Sequence, residues 1–450
     1  MVNRGVRKYM QCLVTMLVLM SAFSVVKSQT YEDLLVVALD PTYATDWMEL
    51  LYRRVEAEKQ SAPLASRTYG YAGVALYESL LGGMPNNRTL AGQIVHLPDL
   101  PYAEFDENAI YDWISMMDGT MSVVLPTLFL KPSDETLQAF ADLRAQHTAD
   151  RAKLHDQDVI DRSLAFGEDI GNALVEWIEG DYFESLHADG LNYELPVGEG
   201  AYQLTTEGSQ PAEPYWGQLR PFVLQAGYDC NVAPDVFYSA DPESVYYKQA
   251  QEVVEAERNL TEWQKETARY WVDTPGVTGT PAGHWVSIAT QLVDQLDLDL
   301  QRTAMMYAMV GMSVADSFIS TWYNKYVFNT VRPETFIREH IRQRWTPYIQ
   351  TPPFPEYPSG HSVVSVAAAE TLTNLLGAQA FTDETHIIYG HELFARSYTS
   401  FVAAASEAAI SRLYGGIHYR YAIENGMEQG RCIGEYLRQR IRLNPVLQGE

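Results

Sequence analysis

The 450-residue chain carries 32 Lys and Arg against 58 Asp and Glu, a formal net charge of -26. Negative charge on that scale repels polyphosphates and anionic lipid, which excludes nucleic acid and anionic membranes as partners. Hydrophobic residues make up 46% of the chain and charged ones 20%, enough to bury the core of one large domain or two.

Residues 1–28 read as a signal peptide: Arg4, Arg7 and Lys8 form a basic start, an apolar stretch covers 13–26, and Ser28 offers a small residue for cleavage. The expectation is an exported, periplasmic or extracellular protein. Removing this segment removes four positive charges and no negative one, so the mature charge goes from -26 to -30. Later apolar runs at 304–315 and 363–369 are stopped by Asp316 and Glu370, so no membrane insertion is expected after signal removal. Beyond Cys12, the cysteines are Cys230 and Cys432, either one disulfide or two separate thiols.

Apolar residues recur at helical spacing over 47–58, 63–81, 135–148, 159–178, 242–258, 285–296, 300–326, 362–376, 397–414 and 418–442. Strand-like alternation is confined to short pieces such as 201–205. The predicted fold is all-α, built of packed helical bundles. Residues 181–238 are rich in Gly, Pro and aromatics and read as long loops. The expected division is a signal peptide (1–28), an N-terminal helical region with long loops (29–245), and a catalytic helical-bundle region (246–450).

Three segments of the last region carry chemistry: Lys325-x6-Arg332-Pro333, Pro358-Ser359-Gly360-His361, and Ser411-Arg412-x5-His418. Lys and Arg are cationic donors to phosphate-like oxygens, Arg as a planar fork and Lys as a point charge. Lys325 and Arg332 are seven residues apart, so a helix would put them on one face, with Pro333 ending it at Arg332. Ser359-Gly360-His361 follows a Pro-rich loop and precedes a predicted helix, so it sits at a helix N-terminus that favours an anion. Gly360 leaves its backbone N–H open to close approach. Gly415-Gly416 breaks the helix between Arg412 and His418 and lets both reach one pocket. The joint inventory suits a tetrahedral oxyanion held beside an imidazole.

In order and separation, these three segments resemble the signature of the type 2 phosphatidic acid phosphatase and vanadium haloperoxidase superfamily. The resemblance implies vanadate held by Lys325, Arg332, Ser359, Gly360 and Arg412, with His418 as the metal ligand. It implies hydrogen peroxide and a halide as substrates, with an organic acceptor as a further partner. Lys325 would then polarise bound peroxide, and His361 would serve as the acid–base group. It also places Trp322 and Phe354 in a halide pocket, where iodide, the most weakly hydrated halide, is the expected substrate and bromide the next. Where the family often carries Asp four residues after the last His, this chain has Ala422, and Glu424 is the nearby candidate to orient His418.

Phosphate and vanadate are isosteric, so the same residues also fit a secreted acid phosphatase in which His418 forms a phosphohistidine. An inactive oxyanion-binding protein is the reading from another class. Chain length, the Trp322 and Phe354 pair, and the 280–285 segment favour the peroxidase.

Asp273 is a candidate carboxylate partner for a site arginine, and His284 reads as structural. His386-x4-His391-Glu392 lacks the spacing of a zinc motif. Asp294, Asp297 and Asp299 lack the Gly and Glu of a calcium loop. His96, His147, His155, His187 and His340 read as surface or capping residues.

Overall fold

The computed structural model describes residues 35–104, 106 and 109–444. The predicted signal segment lies outside the described residues. The chain folds into α-helices in this order: α1 (Thr42–Ala57), α2 (Ala62–Leu80), α3 (Trp113–Thr127), α4 (Asp134–Arg151), α5 (Gln157–Glu179), α6 (Phe183–Gly190), α7 (Val245–Arg258) and α8 (Glu262–Tyr270). There follow α9 (Thr280–Gln295), α10 (Leu300–Phe328), α11 (Pro333–His340), α12 (Gly360–Leu376), α13 (Thr385–Ile388), α14 (Phe401–Tyr414) and α15 (Arg420–Arg440). A small antiparallel pair, β1 (Phe381–Asp383) with β2 (Arg396–Tyr398), is the only sheet among the described residues. The fold is all-α, as the periodicity predicts.

Helix α10 is the axis. Asp299 caps its start, accepting from the Arg302 N–H at 2.8 Å, and Asn329 ends it in the left-handed region at φ 46°. It packs against α2 and α12. Close approach to α2 needs Gly311, where a Cβ would stand 2.6 Å from the Tyr69 carbonyl oxygen. Helix α12 packs on α14 and α15, and Gly430 plays the same part there against Val363 O at 2.5 Å. One apolar core runs from Val36 to Leu443 and continues across position 245. A second, aromatic core of Tyr246, Phe336, Trp345, Tyr357, Tyr419 and Tyr421 lies under the site loops.

Several expectations change. Lys325 and Arg332 do not share a helix, because α10 stops at Phe328; Pro333 starts α11, and Arg332 is its extended N-cap. Proline at the first helical position gives up an N–H that would have no partner there. The 201–205 stretch forms a single bridge, Ala201 to Thr330, which fixes the linker just before Arg332. The 181–238 segment is mostly turns but includes α6. Helix α3 had no periodic signal because nearly its whole circumference is buried. Cys230 and Cys432 form a disulfide that ties the 181–238 segment to α15. Among the described residues, no helix is long and apolar enough to cross a membrane.

Candidate active site

The three sequence segments meet at one end of α10, α12 and α14. Between them lies a cavity of about 280 Å³. Gly360, His361, Arg412 and His418 line it, with Trp322 and Phe354 on one wall and Asp273 on another. Pro63, Pro275, Pro281, Pro352 and Pro353 add apolar wall.

Ser359 is the N-cap of α12. Its backbone N–H donates to Ala422 O at 3.0 Å, and its oxygen accepts from the Ser362 hydroxyl at 2.9 Å, leaving its own O–H to donate. Gly360 opens the helix. A Cβ there would meet nothing nearer than Thr321 at 3.7 Å, so packing does not demand glycine, and the open side is the cavity. Gly360 and His361 thus bring the helix N-terminus to the cavity wall, where the dipole favours an anion, while the Ser362 and Val363 N–H groups already donate to Ser359.

Arg332 and Arg412 are both fully buried. Arg332 donates through Nε to Phe354 O at 2.9 Å, and through Nη1 to Ile417 O at 2.9 Å and His418 Nε2 at 3.1 Å. Arg412 Nη1 donates to Trp271 O at 2.5 Å and to His361 Nε2 at 2.7 Å. Arg332 Nη2, Arg412 Nε and Arg412 Nη2 are buried and have no hydrogen-bond partner among the described residues. Burial lowers both guanidinium pKa values to about 10, far enough above neutrality that both stay charged. A buried guanidinium with open donors is costly, and an oxyanion removes that cost.

The two arginines also fix the tautomers of the two histidines. A guanidinium only donates, so Nε2 of each ring accepts and the proton of the neutral ring sits on Nδ1. Burial pushes both imidazole pKa values well down. Arg412 adds to the effect at His361, and Arg332, Lys325 and Arg412 add to it at His418. His418 Nδ1 donates to Glu356 Oε1 at 2.8 Å. Sequence reasoning missed Glu356. Glu424 does not orient His418; it lies on the exposed side of α15, 3.8 Å from Arg420. The one local hint was a carboxylate inside the otherwise uncharged run from Thr351 to Pro358. Burial raises Glu356 to about 7, with Arg332 and Lys325 opposing.

Lys325 is buried behind Phe354, with Nζ 5.0 Å from that ring's centroid. It donates to three loop carbonyls, Pro355 at 2.9 Å, Glu356 at 3.0 Å and Pro358 at 2.6 Å. Burial and Arg332 depress its pKa strongly. Yet three oxygens around one nitrogen require three N–H donors, so the geometry selects the ammonium. Lys325 thus holds the loop that carries Phe354 and Glu356. Trp322 and Phe354 pack on each other at 4.9 Å between centroids.

Asp273 makes no direct bond to an arginine among the described residues. It lies in the left-handed region at φ 45° and pairs with His284 Nδ1 at 3.0 Å, while His284 Nε2 reaches Asp383 at 2.8 Å. Burial opposes the charge on His284, but Asp273 and Asp383 override it and raise its pKa to about 10. Its ring stacks under Trp271 at 4.4 Å, the residue whose carbonyl receives Arg412. His284 is structural, as expected. Asp273, His284 and His386 bring ligand-type atoms within 4.8 Å of one another, but each is already partnered; His386 Nε2 donates to Tyr270 O at 2.8 Å. His147 is not a surface residue: it is buried between Asp118 at 2.9 Å and Asp46 at 3.3 Å.

The fold and the site together define an all-α enzyme of oxyanion chemistry. Residues 305–443 match the family described as the VCPO second helical-bundle domain. The chain is 22% identical over 362 residues to the vanadium chloroperoxidase of Curvularia inaequalis, a match that covers 67% of this chain and 59% of that protein's length. A solved structure described as the first bacterial vanadium-dependent iodoperoxidase is 33% identical, with TM-score 0.82, covering 90% of this chain and 97% of that one. A holo-type bacterial vanadium-dependent chloroperoxidase shares the fold at TM-score 0.60 and 15% identity, over 88% of this chain and 96% of its own. The chain belongs to the vanadium haloperoxidase family.

Proposed function

We propose that this protein oxidises halide with hydrogen peroxide, using vanadate held in the cavity floor, with iodide the preferred halide and bromide next. The observation that carries the reading is the set of three unpartnered, buried guanidinium nitrogens near His418 Nε2. That donor set fits a tetrahedral oxyanion and one metal-to-imidazole bond. Arg332, Arg412, Ser359 and the Gly360 N–H would hold the oxygens, and His418 the metal. Bound there, vanadate supplies Lewis-acid activation of peroxide without a change in its own oxidation state.

The protein's own groups do the rest. Arg332 and Arg412 neutralise charge and orient the anion. Lys325 adds positive charge from behind the wall and fixes the loop. His361, neutral with its proton on Nδ1, is the acid–base group at the cavity edge. Trp322 and Phe354 exclude water and offer halide no donor, which favours the halide that sheds water most easily. The likeness to a structure described as an iodoperoxidase supports iodide as a substrate. An organic acceptor would enter between the proline-lined walls. Export is supported by the Cys230–Cys432 disulfide, a bond that persists in oxidising compartments.

The test is to purify the protein without phosphate, add vanadate, and assay iodide and bromide oxidation with peroxide beside phosphate-ester hydrolysis. Vanadate-dependent halide oxidation is expected. Ester hydrolysis without halide oxidation would assign the pocket to a phosphatase.

A further inference from the structure

We propose that Glu356 is the positioning residue that makes His418 a metal ligand, and that through it the cavity discriminates vanadate from phosphate. The inference rests on the haloperoxidase reading and extends it. Position 422, where the family often carries Asp, is a buried alanine in the aromatic core, and the expected substitute, Glu424, faces away from His418. The carboxylate comes instead from the proline-rich loop, 62 residues before His418.

Glu356 is held from several directions. Its Oε1 accepts from His418 Nδ1 at 2.8 Å and from the Tyr419 N–H at 3.1 Å. Its Oε2 accepts from the Tyr421 hydroxyl at 3.5 Å, and its backbone carbonyl accepts from Lys325 Nζ at 3.0 Å. The carboxylate therefore cannot swing away from the ring. Together with Arg332, whose Nη1 donates to Nε2 at 3.1 Å, it keeps the His418 proton on Nδ1, and it makes the Nε2 lone pair more basic, so that a metal can take that lone pair from the Arg332 N–H.

Two oxyanions of one shape use this site differently. Phosphate binds through charge and hydrogen bonds to the arginines, Ser359 and Gly360. Vanadate uses those and also takes the Nε2 lone pair. Removing the Glu356 charge while keeping its shape thus weakens vanadate alone. Phosphate, facing a pocket with one fewer negative charge, holds its affinity or gains. A purely electrostatic role for Glu356 predicts tighter binding of both anions. A purely structural role predicts loss of both.

The experiment compares wild type and Glu356→Gln by calorimetric titration with orthovanadate and, separately, with inorganic phosphate. The expected result is a vanadate affinity lowered roughly 10–100-fold, the usual size of such an outer partner's effect, with phosphate affinity unchanged or tighter. Parallel loss of both anions, parallel gain, or no change in vanadate affinity overturns the assignment. Wild-type protein that takes phosphate but no vanadate overturns the haloperoxidase reading itself, and Glu356's role with it. A second measurement needs no Glu356 variant. In wild-type protein labelled with ¹⁵N-histidine, His418, assigned by difference against His418→Gln, should show the Nδ1–H tautomer. The Nε2–H tautomer would contradict the proposal.

Discussion

Two buried charge clusters sit on either side of Trp271, and they differ in one respect. Around His284, every charged group is hydrogen-bonded to one of opposite sign: one imidazolium lies between Asp273 and Asp383. Around His418, cations outnumber carboxylates, and three guanidinium nitrogens have no partner among the described residues. Burial alone therefore does not mark a functional site. A closed cluster is complete without a ligand and contributes to the fold. An open one carries an electrostatic deficit that a bound anion removes.

The sharpest way to break this contrast is to remove one histidine from each cluster. His418→Ala should leave the fold intact, lose vanadium on dialysis, and reduce halide oxidation to background. A variant that retained metal and turnover would show that His418 is not the ligand. His284→Ala should do the reverse first, destabilising the protein by about 3–5 kcal/mol in denaturant titration, because two buried carboxylates lose their counter-ion. The sign with pH follows from the raised pKa. The His284 ion pairs contribute fully below about 6.5 and are lost as pH rises toward about 10, so stability relative to His284→Ala should fall across that window. A flat difference would mean that His284 is neutral in the fold.

A smaller effect should come from the aromatic wall. Phe354→His and Trp322→Arg, made singly, should shift the bromide-to-iodide rate ratio while vanadate stays bound. If neither moved any halide ratio, the two rings would be packing residues that merely border the cavity.

The sequence revealed much of this contrast, but unevenly. Helix α15 announced itself through one apolar face and helices α10, α12 and α14 through long apolar stretches, and the three charged segments named both arginines and both histidines. Helix α3 was silent because it is buried nearly all round, with no polar face to set a period, and at 15 residues it lacks the length that made the equally buried, 29-residue α10 legible. Pro333 was misread because proline ends one helix and begins another with equal ease, and only the Asn329 turn decides between them. Glu356 and His147 were missed for a shared reason: their partners lie far away in sequence, His147 meeting Asp118 and Asp46 only once three helices have packed. Long-range pairing of charges leaves no local pattern to read.

The central claim is that the open cluster is an oxyanion site whose filling with vanadate creates the peroxidase. It is tested most directly by titrating phosphate-free protein with vanadate while following bound vanadium and iodide oxidation together, then adding phosphate. The account predicts one vanadium per chain, activity in proportion to occupancy, and loss of both as phosphate competes for the same arginines. Iodide oxidation that ignores vanadium occupancy, or survives full displacement by phosphate, would contradict it.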